Sequence, residues 1–283
     1  MDVAVSGVRL RVAAGFGLVA GEQFWAVTAL DLESATRAEE AAGEFEVGEF
    51  EVDYLGEDGL ERRLPLGESW ATRFEAGLPV RRFASRKGQK HLSGLWWSAT
   101  MSRHVGFESW LERDHLMLLD FDSTVVGIAS QPFRLRWRDE ADKQVTHVPD
   151  YLARRADGSV AVVDCRPVER RPPRDVAKFD ATERACGLVG WSYRLVGTVD
   201  AIEAGNVRWL AGYRHPRHRT PATVAGLRQV FDSPTALVAG AQAAGDPIAV
   251  LPVLFHLLWL HELVTDLSVP LTEHSLVRAA EAR

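Results

Sequence analysis

The alternation of apolar and polar positions divides the chain into a hairpin region, a centre of mixed period and a helical end. Phe50-Glu-Val-Asp-Tyr alternates with period two. It passes through Gly56-Glu-Asp-Gly59 and resumes in Leu60-Glu-Arg-Arg-Leu, which predicts a β-hairpin. Residues 66–80 have the spacing of a short helix, and Gly94-Leu-Trp-Trp-Ser that of a buried strand or ledge. Phe107, Trp110, Leu111, Leu118 and Phe121 recur at helical spacing, so a helix is expected over 107–121. Three strand-like runs follow, over 125–137, 145–154 and 160–167, joined by a loop at 138–142 and by the Asp157-Gly158 turn. A second helix over 174–188 leads into a strand over 191–196. The order helix, three-strand meander, helix, strand predicts an α/β fold, a mixed sheet flanked by helices.

Gly212-Tyr-Arg-His-Pro-Arg-His-Arg-Thr-Pro221 reads as a linker. Three helical stretches, 222–231, 234–244 and 248–262, and a short β-wing over 264–270 follow it. The expected organisation is therefore an irregular acidic arm over 1–50, an accessory segment over 51–100, a central domain over 101–215 and a small helical or winged-helix domain over 216–283.

Composition changes this picture little. Of 283 residues, 46% are hydrophobic and 25% charged, ordinary for a globular protein. No window has the ~20 apolar residues of a membrane span, so a cytoplasmic protein is expected. The two cysteines, Cys165 and Cys186, indicate neither a disulfide framework nor a zinc motif. Charge is more informative. Residues 31–61 carry twelve acids and one Arg, a local −11 within a net −6, so the rest of the chain carries +5. Five Arg and two His stand between 208 and 228 without an acid. A basic body is compatible with DNA binding, because phosphate contacts depend on local Lys and Arg. The acidic run by itself reads as a solvated segment.

The candidate chemistry lies in the centre. In Val162-Val-Asp164-Cys-Arg166-Pro167, strand alternation puts Asp164 and Arg166 on one face and Val163 and Cys165 on the other. Asp150 closes His147-Val-Pro-Asp150 on the preceding run, and in a meander it can lie beside Asp164. Two adjacent carboxylates repel unless a cation sits between them, and hard oxygen donors suit Mg2+ or Mn2+. Such an ion can activate water and stabilise charge on a phosphate. Glu112 supplies a third carboxylate from the first helix. Each residue also has a structural reading. Ser109-Trp-Leu-Glu112 is a capping box, Pro-Asp pairs occur at turns, and an Asp-x-Arg on a strand can be a surface ion pair. His261-Glu262 lacks the second His of a zincin helix, and no phosphate-binding loop or serine elbow is present.

These residues resemble the PD-(D/E)XK nucleases, and among them the TnsA-like endonuclease subunits of heteromeric transposases. The matching stretches are Ser109-Trp-Leu-Glu112-Arg-Asp, Phe121 through Gln131-Pro132, His147-Val-Pro-Asp150-Tyr-Leu and Val162-Val-Asp164-Cys-Arg166-Pro167, with Cys186 to Trp191 and Arg208-Trp-Leu-Ala-Gly-Tyr further on. The resemblance covers about residues 86–283. It implies a restriction-endonuclease-like sheet, Glu112, Asp150 and Asp164 as metal ligands, Arg166 in the place usually taken by Lys, and Mg2+ or Mn2+ as cofactor. It further implies cutting of one strand at transposon ends, a DDE-type transposase and an AAA+ ATPase as partners, and a partner-binding C-terminal domain. Gln131, Arg174 and Lys178 are candidate DNA contacts. Arg stays charged and cannot act as a base. A catalytically inactive adaptor of the same fold, and a DNA-binding regulator working through the C-terminal helices, are the alternative readings.

Overall fold

The computed structural model describes residues 49–81, 93–167, 169 and 172–281. The acidic arm, apart from its last two residues, lies outside them. β1 (Glu51–Leu55) and β2 (Glu61–Pro65) form the expected hairpin, with Gly59 in the left-handed region at φ +74°. The helix expected over 66–80 reduces to α1 (Leu66–Ser69) and a 3-10 turn at Phe74–Ala76. Gly77 passes so close to the Leu55 carbonyl that a Cβ would lie 2.3 Å from its oxygen. This contact, with the bond from Leu78 N to Leu55 O, holds the chain against β1 and precludes a continuing helix.

β3 (Gly94–Ser98) and β4 (Arg103–Phe107) pair antiparallel, and α2 (Trp110–Phe121) begins only after them. The buried Asp120 of α2 accepts from Trp96 Nε1, Ser98 Oγ, Ala99 N and Thr100 N, fastening this hairpin to the helix. β5 (Val125–Ser130), β6 (Arg134–Arg138), β7 (Gln144–His147), β8 (Tyr151–Arg155) and β9 (Val160–Cys165) follow.

The meander differs from expectation. The runs over 125–137 and 145–154 both break, at Gln131-Pro132-Phe133 and at Val148-Pro149-Asp150. Proline has no N–H to give to a ladder, so the two strands part there. Their outer halves join the first hairpin in an antiparallel sheet of order β2-β1-β6-β7. After α3 (Pro173–Leu188), β10 (Ser192–Val196) completes a second sheet of order β10-β9-β8-β5. In it β10 runs parallel to β9, and the other pairs are antiparallel.

The faces of this mixed sheet are covered differently. Ile128, Tyr151, Ala153, Val163 and Cys165 pack with Leu116 and Leu119 of α2. Ala129, Leu152, Val160 and Val162 pack with Ala181, Ala185 and Cys186 of α3.

The remaining elements are α4 (Ala201–Ala211), α5 (Pro221–Val230), β11 (Thr235–Ala236), α6 (Leu237–Ala244), α7 (Pro247–Trp259), β12 (Leu263–Val264) and β13 (Leu276–Ala279). The last strands form a three-stranded wing, β11-β13-β12. The domain boundary expected at 215/216 does not separate two cores. One buried cluster joins Met117 and Leu118 of α2 and Val207 and Leu210 of α4 to Leu227, Leu254 and Leu258 of the C-terminal helices. No helix of the described residues is long and apolar enough to cross a membrane.

Candidate active site

Glu112 stands in the first turn of α2, where the Ser109 half of its capping box is formed and its own carboxylate turns back to Glu108 N and Ser109 Oγ. Ser109 Oγ accepts from Glu112 N at 3.1 Å, while Glu112 Oε2 accepts from Glu108 N at 2.7 Å and Oε1 from Ser109 Oγ at 2.9 Å. Burial raises the proton affinity of this carboxyl, opposed by those same bonds and by the charge of Arg166.

Asp150 lies at the break between β7 and β8. The strand turns away at Pro149, so Cys165 N has no carbonyl opposite it, and Asp150 Oδ2 takes that place at 2.8 Å. The carboxylate therefore caps the open end of the β8–β9 ladder. It is 5% exposed. Burial first, then the negative charges of Asp164 and Glu112, hold its proton affinity well above the usual carboxylate range. The Cys165 N–H bond and the Arg166 charge act in the opposite direction.

Asp164 is buried on β9. Its Oδ2 accepts from Tyr193 Oη at 2.7 Å and lies 2.8 Å from His147 Nε2. The ring of His147 meets Phe179 of α3 edge-on at 5.7 Å. Burial and the Asp164 charge push the Tyr193 hydroxyl far up, so it remains a donor. Neither His147 nor Tyr193 was singled out from the sequence as a site residue. His147 is within the Pro-Asp stretch, but Tyr193 reaches Asp164 only through the parallel pairing of β10 with β9.

The sequence places the three carboxylates around one point, and the structure distributes them differently. Asp164 shares the parity of Val162 and faces α3, whereas α2, with Glu112, covers the opposite face. Asp150 stands between them in the plane of the strands, and the charges of both others act on it. Asp150 directly precedes Tyr151, and Asp164 directly follows Val163, the last paired residues of β8 and β9. On its other side, one step beyond Ser130–Tyr151, Gln131 is opposite Asp150, and Gln131 N donates to Asp150 O at 2.9 Å. Gln131, Asp150 and Asp164 thus each lie at or just beyond the paired ends of β5, β8 and β9.

Gln131 is 2% exposed, and its Oε1 has no hydrogen-bond partner among the described residues. Arg166 directly follows β9. Its Nη1 lies 3.4 Å from its neighbour's carbonyl at Cys165, and its charge acts on Glu112 and Asp150. Arg174 is exposed at the start of α3, 3.8 Å from Asp175, and Lys178 is partly buried one turn further on.

Among the described residues no group of three His, Cys, Asp or Glu is gathered to hold a metal ion. Glu112 is occupied by Glu108 N and Ser109 Oγ, which leaves the carboxylates of Asp150 and Asp164. The donor chemistry nevertheless suits a hard divalent cation. Asp150 and Asp164 offer carboxylate oxygens, with His147 Nε2 already 2.8 Å from Asp164 Oδ2, and the amide oxygen of Gln131 is buried without a hydrogen-bond partner among the described residues. A cavity of about 740 Å³ lies elsewhere, between α2, the end of β10 and residues 263–268, and contains none of the three carboxylates. Comparison with models of known protein families gives no match, and comparison with curated proteins likewise finds none.

Proposed function

We propose that this chain is a divalent-cation-dependent DNA endonuclease of the PD-(D/E)XK type, a TnsA-like subunit that cuts one strand at transposon ends. The observation that carries this reading is the pair of buried carboxylates Asp150 and Asp164 at the open end of a mixed sheet, with the charges of Asp164 and Arg166 acting on Asp150. Two buried carboxylates so placed are costly without a cation, and the ion they would hold supplies Lewis-acid activation of water and of a scissile phosphate. Asp150 anchors the cation. Tyr193 and His147 orient Asp164. Arg166 holds the phosphate and neutralises charge that builds up on it; its permanent protonation excludes it as the base. Glu112 adds negative charge beside Asp150 from the other face. Arg174 and Lys178 offer phosphate contacts along α3, and a DDE-type transposase and an AAA+ ATPase are the partners that the reading entails.

The test is nicking of end-containing DNA with Mn2+ and the transposase subunit present. Asp150→Ala abolishes nicking while the protein remains folded, and chelator does the same to the wild type. Full nicking in excess chelator refutes the reading. The adaptor alternative draws on a specific observation: Glu112 is engaged in its cap, and Asp164 is held on the far face by two donors. It predicts DNA or ATPase binding without cutting under any metal.

A further inference from the structure

Gly212 to Pro221 reads in the sequence as a linker, yet its first half is fixed in place. Tyr213 O lies 2.7 Å from Nδ1 of the buried His256 on α7, and the Tyr213 ring packs on Phe255 of the same helix at 4.9 Å. Arg214 lies over the ring of Trp96 at 4.0 Å, and its Nε donates to Trp97 O at 2.8 Å. The His215 ring rests on that of Trp97 at 4.7 Å, tilted by 30°. Contacts to α7 on one side and to β3 on the other thus hold a 3-10 turn, Pro216–His218, which His215 Nδ1 caps by accepting from Arg217 N at 3.1 Å.

His215, Arg217 and Arg219 are exposed on this turn, and its positive charge is not balanced. No acid stands between residues 208 and 228. Arg219 and Arg228 share a single carboxylate, that of Glu262, at 2.5 and 2.7 Å. Arg217 forms no ion pair among the described residues; its Nε donates to His218 Nε2 at 3.3 Å. Burial first, then the charges of Arg217, His256 and His215, lower the proton affinity of His218. A fixed turn of guanidiniums in excess of carboxylate suits phosphate. Arginine offers phosphate a planar fork of donors, and a turn already ordered loses little freedom on binding. A DNA duplex carries a negative charge every ~1.7 Å of its axis, far denser than the carboxylates of a protein face.

We propose that the exposed turn His215–Arg219, held between β3 and α7, is a contact surface for the phosphodiester backbone of duplex DNA, with Arg217 as its central contact. It adds to the contacts at Arg166, Arg174 and Lys178. The proposal rests on the nuclease reading above only in taking DNA as the polyanion. The contact is to phosphate and carries no sequence preference.

The experiment measures binding of a labelled random-sequence DNA duplex to the full chain by fluorescence anisotropy, in excess chelator so that nothing is cut, at salt concentrations from about 50 to 200 mM. Arg217→Ala is expected to weaken binding alike for every sequence and to reduce the slope of log affinity against log salt by about 0.9, the loss of one phosphate contact. Arg217→Lys keeps the charge and the slope. Arg62→Ala removes a surface arginine of the first hairpin and leaves the slope as in wild type. An unchanged slope in a folded Arg217→Ala protein overturns the proposal, as does an equal fall in Arg62→Ala or the absence of salt-dependent binding in wild type. Poly-glutamate that displaces the duplex at equal charge concentration, with the same dependence on Arg217, overturns the commitment to DNA in favour of an acidic protein. Should Arg217→Ala not fold, Arg217→Gln, which keeps a polar side chain of similar reach, makes the same comparison. A chain that never nicks but loses slope with Arg217 removes the nuclease reading and leaves the surface standing. A chain that nicks while Arg217→Ala keeps the full slope does the reverse.

Discussion

Glu75 provides the most quantitative test of how the accessory segment is fastened to the mixed sheet. It sits in the 3-10 turn, 3% exposed, and accepts from Arg154 Nε of β8 at 2.9 Å and from Arg73 Nε at 3.1 Å. Arg154 Nη2 also donates to Thr72 O at 2.9 Å, and Arg103 donates to the Glu75 carbonyl. The fit is close, since a Cβ on Gly127 would lie 2.8 Å from Glu75 Cγ. Glu75→Ala leaves the guanidinium of Arg154, 17% exposed, without its counter-charge. Breaking a buried pair in this way costs about 3–5 kcal/mol, and the residual exposure of Arg154 argues for the lower end, about 3 kcal/mol. With a urea slope of about 3 kcal/mol/M, the unfolding midpoint falls by about 1 M. The double variant Glu75→Leu with Arg154→Met removes both charges and recovers most of the loss.

Proton linkage fixes how this difference depends on pH. Burial by itself raises the affinity of Glu75 for a proton, but the bonds and charge of Arg154 outweigh it and hold the pKa below its usual 4.5. A depressed carboxyl stabilises the fold fully above its unfolded pKa and loses that stabilisation as pH falls through the folded value. The gap between wild type and Glu75→Gln should therefore be widest near neutrality and narrow below about pH 4.5. A gap that stays constant from pH 7 to pH 3, or a Glu75→Ala midpoint equal to wild type, refutes the argument.

Three further outcomes are expected. Arg166→Ala lowers nicking by about 10²-fold, the scale of one preorganised charge, while Arg166→Lys retains it; equal rates for wild type and Arg166→Ala would remove the phosphate-clamp role. Asp120→Asn turns an amide N–H₂ toward donors that now converge on a carboxylate, so it destabilises by about 2–4 kcal/mol, measured as a loss in urea midpoint. Burial pushes the thiols of Cys165 and Cys186 up, and both are free, so neither reacts with a thiol reagent at pH 8 until denaturant is added; rapid labelling of the native protein would contradict their placement.

The sequence by itself determined the local elements. The Phe50–Leu64 hairpin, the helices expected over 107–121 and 174–188 and the strand over 160–167 follow, to within a few residues, from period and turn chemistry, which neighbouring residues decide. The Ser109 cap on Glu112 N was legible for the same reason. What depends on distant partners was not. Strand parity separated Asp164 from Cys165 correctly, but only packing determined that α2 covers the Cys165 face and α3 the Asp164 face. Pro132 and Pro149 were visible, yet that the strands part there and feed two sheets depended on β1 being available to pair with β6. Tyr193 reached Asp164 through a parallel crossover, a non-local pairing that no window of sequence contains. The shared core of α2, α4 and the C-terminal helices is likewise a tertiary outcome, because an amphipathic helix specifies an apolar face but not the surface that covers it.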